Sequence, residues 1–307
     1  MLHPHPHPHP HPLPLIRSKL FVPGARPELF AKALAGDADA ISIDLEDAVL
    51  EERKDEARDA LSRFLRSDAA RGHGKTVIVR INGLQTPHFD RDIEACAWPA
   101  VDVINLPKAE SADDVRRAAQ ALSYWEQAHG CQRPIGILAN IESPRGLRLA
   151  AEIAGADVRV VGLQLGFADL LEPLGIDRAN PPAIQQLQLA VRLAAGEAGL
   201  PALDSAYANV RDPEGYRSEA AQARRLGYMG KTCIHPSQVA LANDSFRPSD
   251  EEIARAVRVA EAWEAARKKG TGALLVDGRM IDIPFALRAQ AIVAMARQLG
   301  LLPAAPV

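Results

Sequence analysis

Short apolar runs alternate with longer amphipathic stretches along almost the whole of this 307-residue chain, and that alternation limits it to very few folds. Strand-like runs lie at Lys19–Val22, Ala40–Asp44, Thr76–Ile81, Val101–Leu106, Ile135–Ile141, Val158–Leu163, Pro201–Asp204 and Lys231–Ile234. They are apolar at nearly every position, which suits parallel strands covered on both faces. Helical patterns fill most of the gaps, at Pro27–Ala35, Arg53–Ser67, Ser111–Ala128, Gly146–Ala154, Pro182–Gly196 and Pro213–Leu226. Ser111 followed by Asp113 and Asp114 is a helix start. Eight β–α repeats fit either a closed barrel or an open doubly wound sheet. The count of eight, and the lack of a Gly-x-Gly-x-x-Gly after the first run, favour a TIM (β/α)8 barrel of the α/β class over residues 17–240.

Two segments lie outside the repeat. "MLHPHPHPHPHPLP" has proline at every second position through its repeat, which forbids helix, so residues 1–16 read as a disordered tail apart from the fold. Its five histidines, His3 to His11, can scavenge transition metals, but a tail without a part in the function is the simpler reading. From 241 to 307 the pattern is helical, with Ser249–Lys268 and Pro284–Leu301 flanking "GALLVDGRMIDIP". These extra C-terminal helices are expected to cover the barrel mouth or a neighbouring subunit.

A net charge of −3 carries no nucleic-acid or anionic-membrane footprint. No apolar run is long enough to span a bilayer, and three cysteines without metal or redox spacing suit a cytoplasmic protein.

In a barrel the chemistry belongs at the C-terminal ends of the strands. There the runs end in Asp44, Glu46 and Asp47, in Arg80, in Lys108, in Asn140 and Glu142, in Gly166-Phe167-Ala168-Asp169, in Asp204 and in His235. Four acids on one rim, Glu46, Asp47, Glu142 and Asp169, repel one another unless a cation sits among them. Carboxylates and water suit Mg²⁺, and no histidine or cysteine cluster has zinc spacing. Each acid alone reads equally as a cap or a surface ion pair. Arg80 either forks onto a substrate carboxylate or pairs with Asp44 or Glu46. Gly166 with the two following amides offers an anion nest or an ordinary turn. Lys108 can form a Schiff base with a keto substrate, but acids around it hold its proton on, so an ion-pair role is expected. His235, Asp204, Tyr207 and Asn209 read as structural.

The segments "RSKLFVPGARPELFAKAL", "DAISIDLEDAVLEERKDEAR", "VIVRIN", "INLPKAE", "IESPRGL", "LGFADL", "CIHPSQ" and "VDGRMIDIP" resemble, in order, the citrate lyase beta-subunit-like branch of the HpcH/HpaI aldolase superfamily. The resemblance runs from about Arg17 to about Arg297. It implies a trimeric or hexameric TIM barrel that uses Mg²⁺ to make or break a carbon–carbon bond beside an acyl thioester of CoA or an acyl carrier protein. Citryl, malyl, methylmalyl and citramalyl thioesters are the substrates it implies, and citrate lyase alpha and gamma subunits are the partners. By position it makes Glu142 and Asp169 the metal ligands, and Glu46 and Asp47 holders of metal-bound water. It makes Arg80 the contact to keto-acid and thioester oxygens, with Gly166, Phe167 and Ala168 beside the substrate. Asp282 becomes an acid or base reaching the mouth, and Arg17, Phe21 and Lys32 meet the CoA or carrier arm. Two departures alter the pocket wall: Glu142-Ser143-Pro144 stands where Glu-Thr-Ala is common, and Ala168 stands where an acid precedes the aspartate.

The expected chemistry is a retro-Claisen cleavage of a 3-hydroxyacyl thioester into a 2-keto acid and an acyl thioester. The alternatives are a metal-dependent aldolase acting on free hydroxy-keto acids, a malyl-CoA thioesterase, and a beta subunit active only within a citrate lyase complex.

Overall fold

The computed structural model describes residues 13–304 and divides into two compact units, 1–246 and 247–307, of which residues 1–12 and 305–307 lie outside the description. The reading of 1–12 as a disordered tail falls outside it too.

In the first unit eight parallel strands close a barrel in sequence order: β1 (Ser18–Pro23), β2 (Ala40–Asp44), β3 (Thr76–Arg80), β4 (Val103–Leu106), β5 (Gly136–Ile141), β6 (Val160–Leu165), β7 (Ala202–Asp204) and β8 (Gly230–Cys233). Closure is made by β8 pairing with β1, Lys19 opposite Thr232. Every strand lies within two or three residues of its apolar run, because both faces are buried and the runs carry little else. The helix over Ala112–His129 starts where Ser111 accepts a bond from the Asp114 amide and stops at Gly130 in the left-handed region. One barrel helix, Phe89–Cys96, is absent from the sequence reading. It is only eight residues long, starts without a side-chain cap, and carries the charged Asp92 on its buried face.

The base of the barrel corrects the tail boundary. Leu13 and Ile16 are buried against Ala40, Ile78, Val103, Leu138 and Leu203, where they stopper the strand starts. The fold therefore begins before residue 17. Gly230 records how closely this segment approaches: a Cβ there would lie 2.6 Å from the Arg17 carbonyl oxygen.

Side chains alternate along a strand, so the inward positions change together two residues further on. Ile78, Val103 and Leu138 at the base give way to Arg80, Asn105 and Asn140 toward the mouth. The barrel is thus apolar at one end and polar at the other.

The second unit has its own core, built around Trp263, Val259, Ile281 and Val293. Its helix Asp250–Lys268 opens with a Ser249–Glu252 capping box, and its helix Ile283–Gln298 follows Asp282. Between them the expectation of a purely helical pattern is corrected: β9 (Leu274–Val276) and β10 (Arg279–Ile281) pair antiparallel. The turn is Asp277-Gly278, both with positive φ (50° and 72°), the geometry that an Asp-Gly hairpin turn requires.

Because Ile16 is fully buried at the barrel base, Ile16→Ala is expected to cost about 2–5 kcal/mol. Urea denaturation measures it, and a loss below about 0.5 kcal/mol would put residues 13–16 outside the cooperative core.

Candidate active site

Five barrel strands, β2 to β6, deliver the charged rim. Asp44 ends β2 and Arg80 ends β3, paired side by side in register. The Arg80 guanidinium forks onto Asp44, Nε to Oδ1 at 2.8 Å and Nη2 to Oδ2 at 2.7 Å. Its remaining nitrogen, Nη1, lies 3.0 Å from Glu46 Oε2 and 3.3 Å from Asp47 Oδ2. Burial works against the charge of Arg80, but the bonds and charge of Asp44, with Glu46 and Asp47 behind, raise its pKa above the ordinary value. The Phe21 ring on β1 lies under it, 4.6 Å from the guanidinium carbon. The pairing alternative therefore describes the free chain. Two of three guanidinium nitrogens are engaged by Asp44, and Nη1 faces the other acids.

Glu142, just beyond β5, is almost wholly buried. Its Oε1 accepts from the Lys108 backbone amide at 2.7 Å, and its Oε2 from Asn140 Nδ2 at 3.2 Å. Lys108 has a left-handed backbone, φ 48°, uncommon outside glycine, and that turn aims its amide at Glu142. The Lys108 ammonium bridges two acids, lying 3.2 Å from Glu46 Oε1 and 3.4 Å from Asp169 Oδ1. Partial burial opposes its charge, but Glu46 and Asp169 hold its pKa above the ordinary value, so it is an ion-pair partner and not a nucleophile.

Burial pushes Glu46 up to about 7 despite Arg80, with like charge from Asp47 and Glu142 adding to the shift. Burial likewise raises Glu142, and Asp169 adds to it. Acids raised in this way are short of positive charge.

Phe21, Arg80, Asn140, Glu142, Gln164 and Asp169 line one cavity of about 410 Å³ that also takes in Asp44, Asp47 and the 166–168 segment. A second cavity of about 470 Å³ lies beside it, sharing Phe21, Pro23 and Ile234 and lined also by Arg26 and the exposed Lys32. A further cavity, about 550 Å³, lies at the barrel base among the strand starts, away from these groups.

The donor set fits a hard divalent cation. Among the described residues no three histidine, cysteine or acidic side chains gather tightly enough to enclose a metal. Two carboxylates with water are the smaller protein share that Mg²⁺ takes. Glu46 Oε2 is buried and accepts no hydrogen bond, because Arg80 Nη1, though near, lies off its bonding line. Gly166 leaves the Glu142 carboxylate its room, since a Cβ there would come within 2.7 Å of Glu142 Cβ. The Lys108 ammonium already stands as a cation between Glu46 and Asp169.

Several sequence expectations change. Arg17 does not reach the mouth: it sits just before β1, at the base, bound to Asp39 through Nε at 2.8 Å and Nη2 at 2.9 Å. The nest at Gly166 and Phe167 is already used, because their amides donate to the Ile141 carbonyl and to Ser205 Oγ, both at 3.0 Å. Only the Ala168 amide is left without a partner among the described residues. Asp282 caps no amide in the second unit, and its buried Oδ1 has no hydrogen-bond partner. His235 bonds Ser237, Tyr207 bonds Asp212, and Asp204 is buried against Lys231 at 2.6 Å. Lys19, Asn105 and Gln164, inside the barrel beneath the rim, are missing from the sequence reading. A polar residue at an inward position of "VVGLQL" is the one signal that marks Gln164.

Residues 17–236 match the HpcH/HpaI aldolase/citrate lyase family. The chain is 35% identical over 288 residues to the citrate lyase subunit beta of Escherichia coli, covering 93% of this chain and 94% of that protein. It is 34% identical over 305 residues to the L-malyl-CoA/beta-methylmalyl-CoA lyase of Cereibacter sphaeroides, covering 92% and 95%. The crystal structure of the protein CitE from Mycobacterium tuberculosis, in complex with magnesium, acetoacetate and coenzyme A, superposes with a TM-score of 0.73 at 36% identity, covering 91% of this chain and 97% of that one. Among the described residues no helix is long and apolar enough to cross a membrane.

The raised acids give a pH signature for the metal-free protein. Between the ordinary 4.5 and about 7, folded Glu46 keeps a proton that the unfolded chain has released. Its contribution to stability is therefore whole below pH 4.5 and lost as pH rises through about 7. The melting temperature in EDTA is expected to fall from pH 5.5 to 8, Glu46→Gln to flatten that slope, and saturating Mg²⁺ to shrink it. An unaltered slope in Glu46→Gln would assign the effect to other groups.

Proposed function

The chain belongs to the HpcH/HpaI aldolase/citrate lyase family, and we propose that it is a Mg²⁺-dependent carbon–carbon lyase. Its substrate is a 3-hydroxyacyl thioester of the citryl, malyl or citramalyl type, carried on CoA or an acyl carrier protein. The products are a 2-keto acid and an acyl thioester, and the reverse reaction is a Claisen-type condensation. One observation carries this reading: Glu142, Asp169 and Arg80 share a cavity that adjoins a second one through Phe21, Pro23 and Ile234. The first has room and charge for a hydroxy acid, and the second is an apolar recess with cationic Lys32 and Arg26 for a thioester arm.

Glu142 and Asp169 hold the cation, and Glu46 and Asp47 orient its water. Bound there, Mg²⁺ supplies Lewis-acid charge that acidifies the substrate hydroxyl and steadies the keto-acid oxygens. In the cleavage direction the hydroxyl gives up its proton to water at the mouth, its oxygen's electron pair closes the keto-acid carbonyl, the bond to the carbon alpha to the thioester breaks, and that carbon's electron pair becomes a thioester enolate. Arg80 lines the cavity with two guanidinium nitrogens locked by Asp44, and Nη1, which in the free chain donates to Asp47, is the one that turns its charge to the enolate oxygen. The unpartnered Ala168 amide donates to a substrate oxygen. Phe21 and Lys32 contact the arm. Asp282 returns a proton to the enolate carbon, and removes it in the synthetic direction.

We place this activity in a homo-oligomer, a trimer or hexamer, in which Asp282 serves its own barrel or a neighbour's. Exposed apolar side chains in the second unit, Leu275, Met280 and Phe285, support association there. Association with citrate lyase alpha and gamma subunits is the alternative setting.

A panel of malyl-, citramalyl- and citryl-CoA with Mg²⁺, followed by keto-acid release, tests the reading. Release without CoA from a free hydroxy-keto acid would favour an aldolase, free CoA would favour a thioesterase, and silence without partner subunits would favour a complex. Arg80→Lys is expected to lower kcat about 100-fold or more, and Asp282→Asn to lower kcat with little change in Mg²⁺ affinity. An Asp282→Asn enzyme with full turnover removes that residue from the mechanism.

A further inference from the structure

Beneath the charged rim lies a polar floor that the reaction described above does not use. Lys19, fully buried on β1, spans the barrel interior and donates through Nζ to Asn105 Oδ1 and Gln164 Oε1, each at 2.7 Å. Asn105 Nδ2 then donates to Asn140 Oδ1 at 2.5 Å, and Asn140 Nδ2 to Glu142 Oε2 at 3.2 Å. The direction of this chain is fixed by Lys19. An amine facing two carboxamides draws their oxygens toward itself and turns their N–H bonds away. Burial lowers the pKa of Lys19 well below the ordinary value, with Arg80 adding, but in either protonation state Nζ has hydrogens for both oxygens.

For Asn105 and Asn140 the outward N–H bonds reach acceptors. For Gln164 they do not: its Nε2 has no acceptor among the described residues, and the side chain lines the active cavity. A second, independent group points to the same place. Thr232 lies opposite Lys19 across the β1–β8 seam, is fully buried, lines that cavity, and has a hydroxyl without a partner. Unpaired donors in a buried wall select against apolar groups, because a methyl placed there leaves them unsatisfied while an oxygen acceptor does not.

We propose that Gln164, aimed by Lys19, is a specificity-determining residue: its amide N–H bonds, with the Thr232 hydroxyl, receive the substituent on the carbinol carbon and favour one that bears oxygen. Resting on the lyase reading, this makes the preferred keto acid one with a carboxylate on its far carbon. The carboxymethyl arm of a citryl thioester meets that requirement, and the methyl of a citramalyl thioester does not. Lys19 acts through Gln164 and is a positioning residue.

The test is the ratio of kcat/KM for citryl-CoA to that for citramalyl-CoA, measured on the full-length chain with Mg²⁺. Gln164→Glu keeps the shape and the bond from Lys19 but replaces the donors with an acceptor. Gln164→Met keeps the volume and removes both. Each variant is expected to lower the ratio about tenfold or more, mainly through the KM for citryl-CoA. Lys19→Met, which frees the amide to turn, is expected to lower it in the same direction. Mg²⁺ affinity by calorimetry reports whether Glu142 and Asp169 remain in place in each variant. A wild-type preference for citramalyl-CoA, or a ratio unmoved in variants that still bind Mg²⁺, overturns the role of Gln164 and leaves the lyase reading standing. A wild-type chain that cleaves no member of the thioester panel overturns the lyase reading and this inference with it.

Discussion

Like charge held close is the constraint on which this structure turns. Glu46, Asp47, Glu142 and Asp169 meet at one end of the barrel, and two cations, Arg80 and Lys108, stand among them. The balance is incomplete, since burial leaves Glu46 near 7 and raises Glu142. A folded chain with acids in that state is set to gain from a further positive charge, and binding a cation releases the protons that burial has kept on. The energy stored in this crowding is returned when the cation binds. Stability at this end is therefore traded for affinity.

The rest of the barrel makes that trade tolerable. Apolar side chains fill the base, with Leu13 and Ile16 packed among them. The middle layer then changes to carboxamides and a lysine, bonded to one another except at the Gln164 amide nitrogen, which is left toward the cavity. Such a layer is costly to bury, because a missing partner leaves a buried polar group unpaired. It separates the apolar base from the rim acids and gives the rim a floor with fixed polarity. The glycine at 166 belongs to the same economy of space, letting β6 pass close to the Glu142 side chain.

Much of this was legible in the sequence. Parallel strands buried on both faces leave near-continuous apolar runs, so their number, order and C-terminal ends could be read directly, and with them the convergence of Arg80, Glu142 and Asp169. What escaped did so for physical reasons. Leu13 and Ile16 follow a proline repeat and carry no periodicity, so nothing local marks them as a stopper. Arg17 sits beside a strand but at the wrong end, and only the direction of β1 shows that. Which amides near Gly166 are free depends on Ile141 and Ser205, distant in sequence. Lys19 and Gln164 lie 145 residues apart, and each alone resembles an ordinary polar residue at a strand edge.

Lys108 joins two jobs in one residue. Its backbone, bent to φ 48°, hands an amide to Glu142, while its side chain spans Glu46 and Asp169. Glycine would relieve the bend and forfeit the ammonium, and a β-branched residue would refuse the bend altogether. The two services therefore cannot drift apart. A cation entering between the acids would compete with the ammonium but not with the amide, which belongs to the backbone and already donates to Glu142. The rim carries its own placeholder, hinged on a fixed mount.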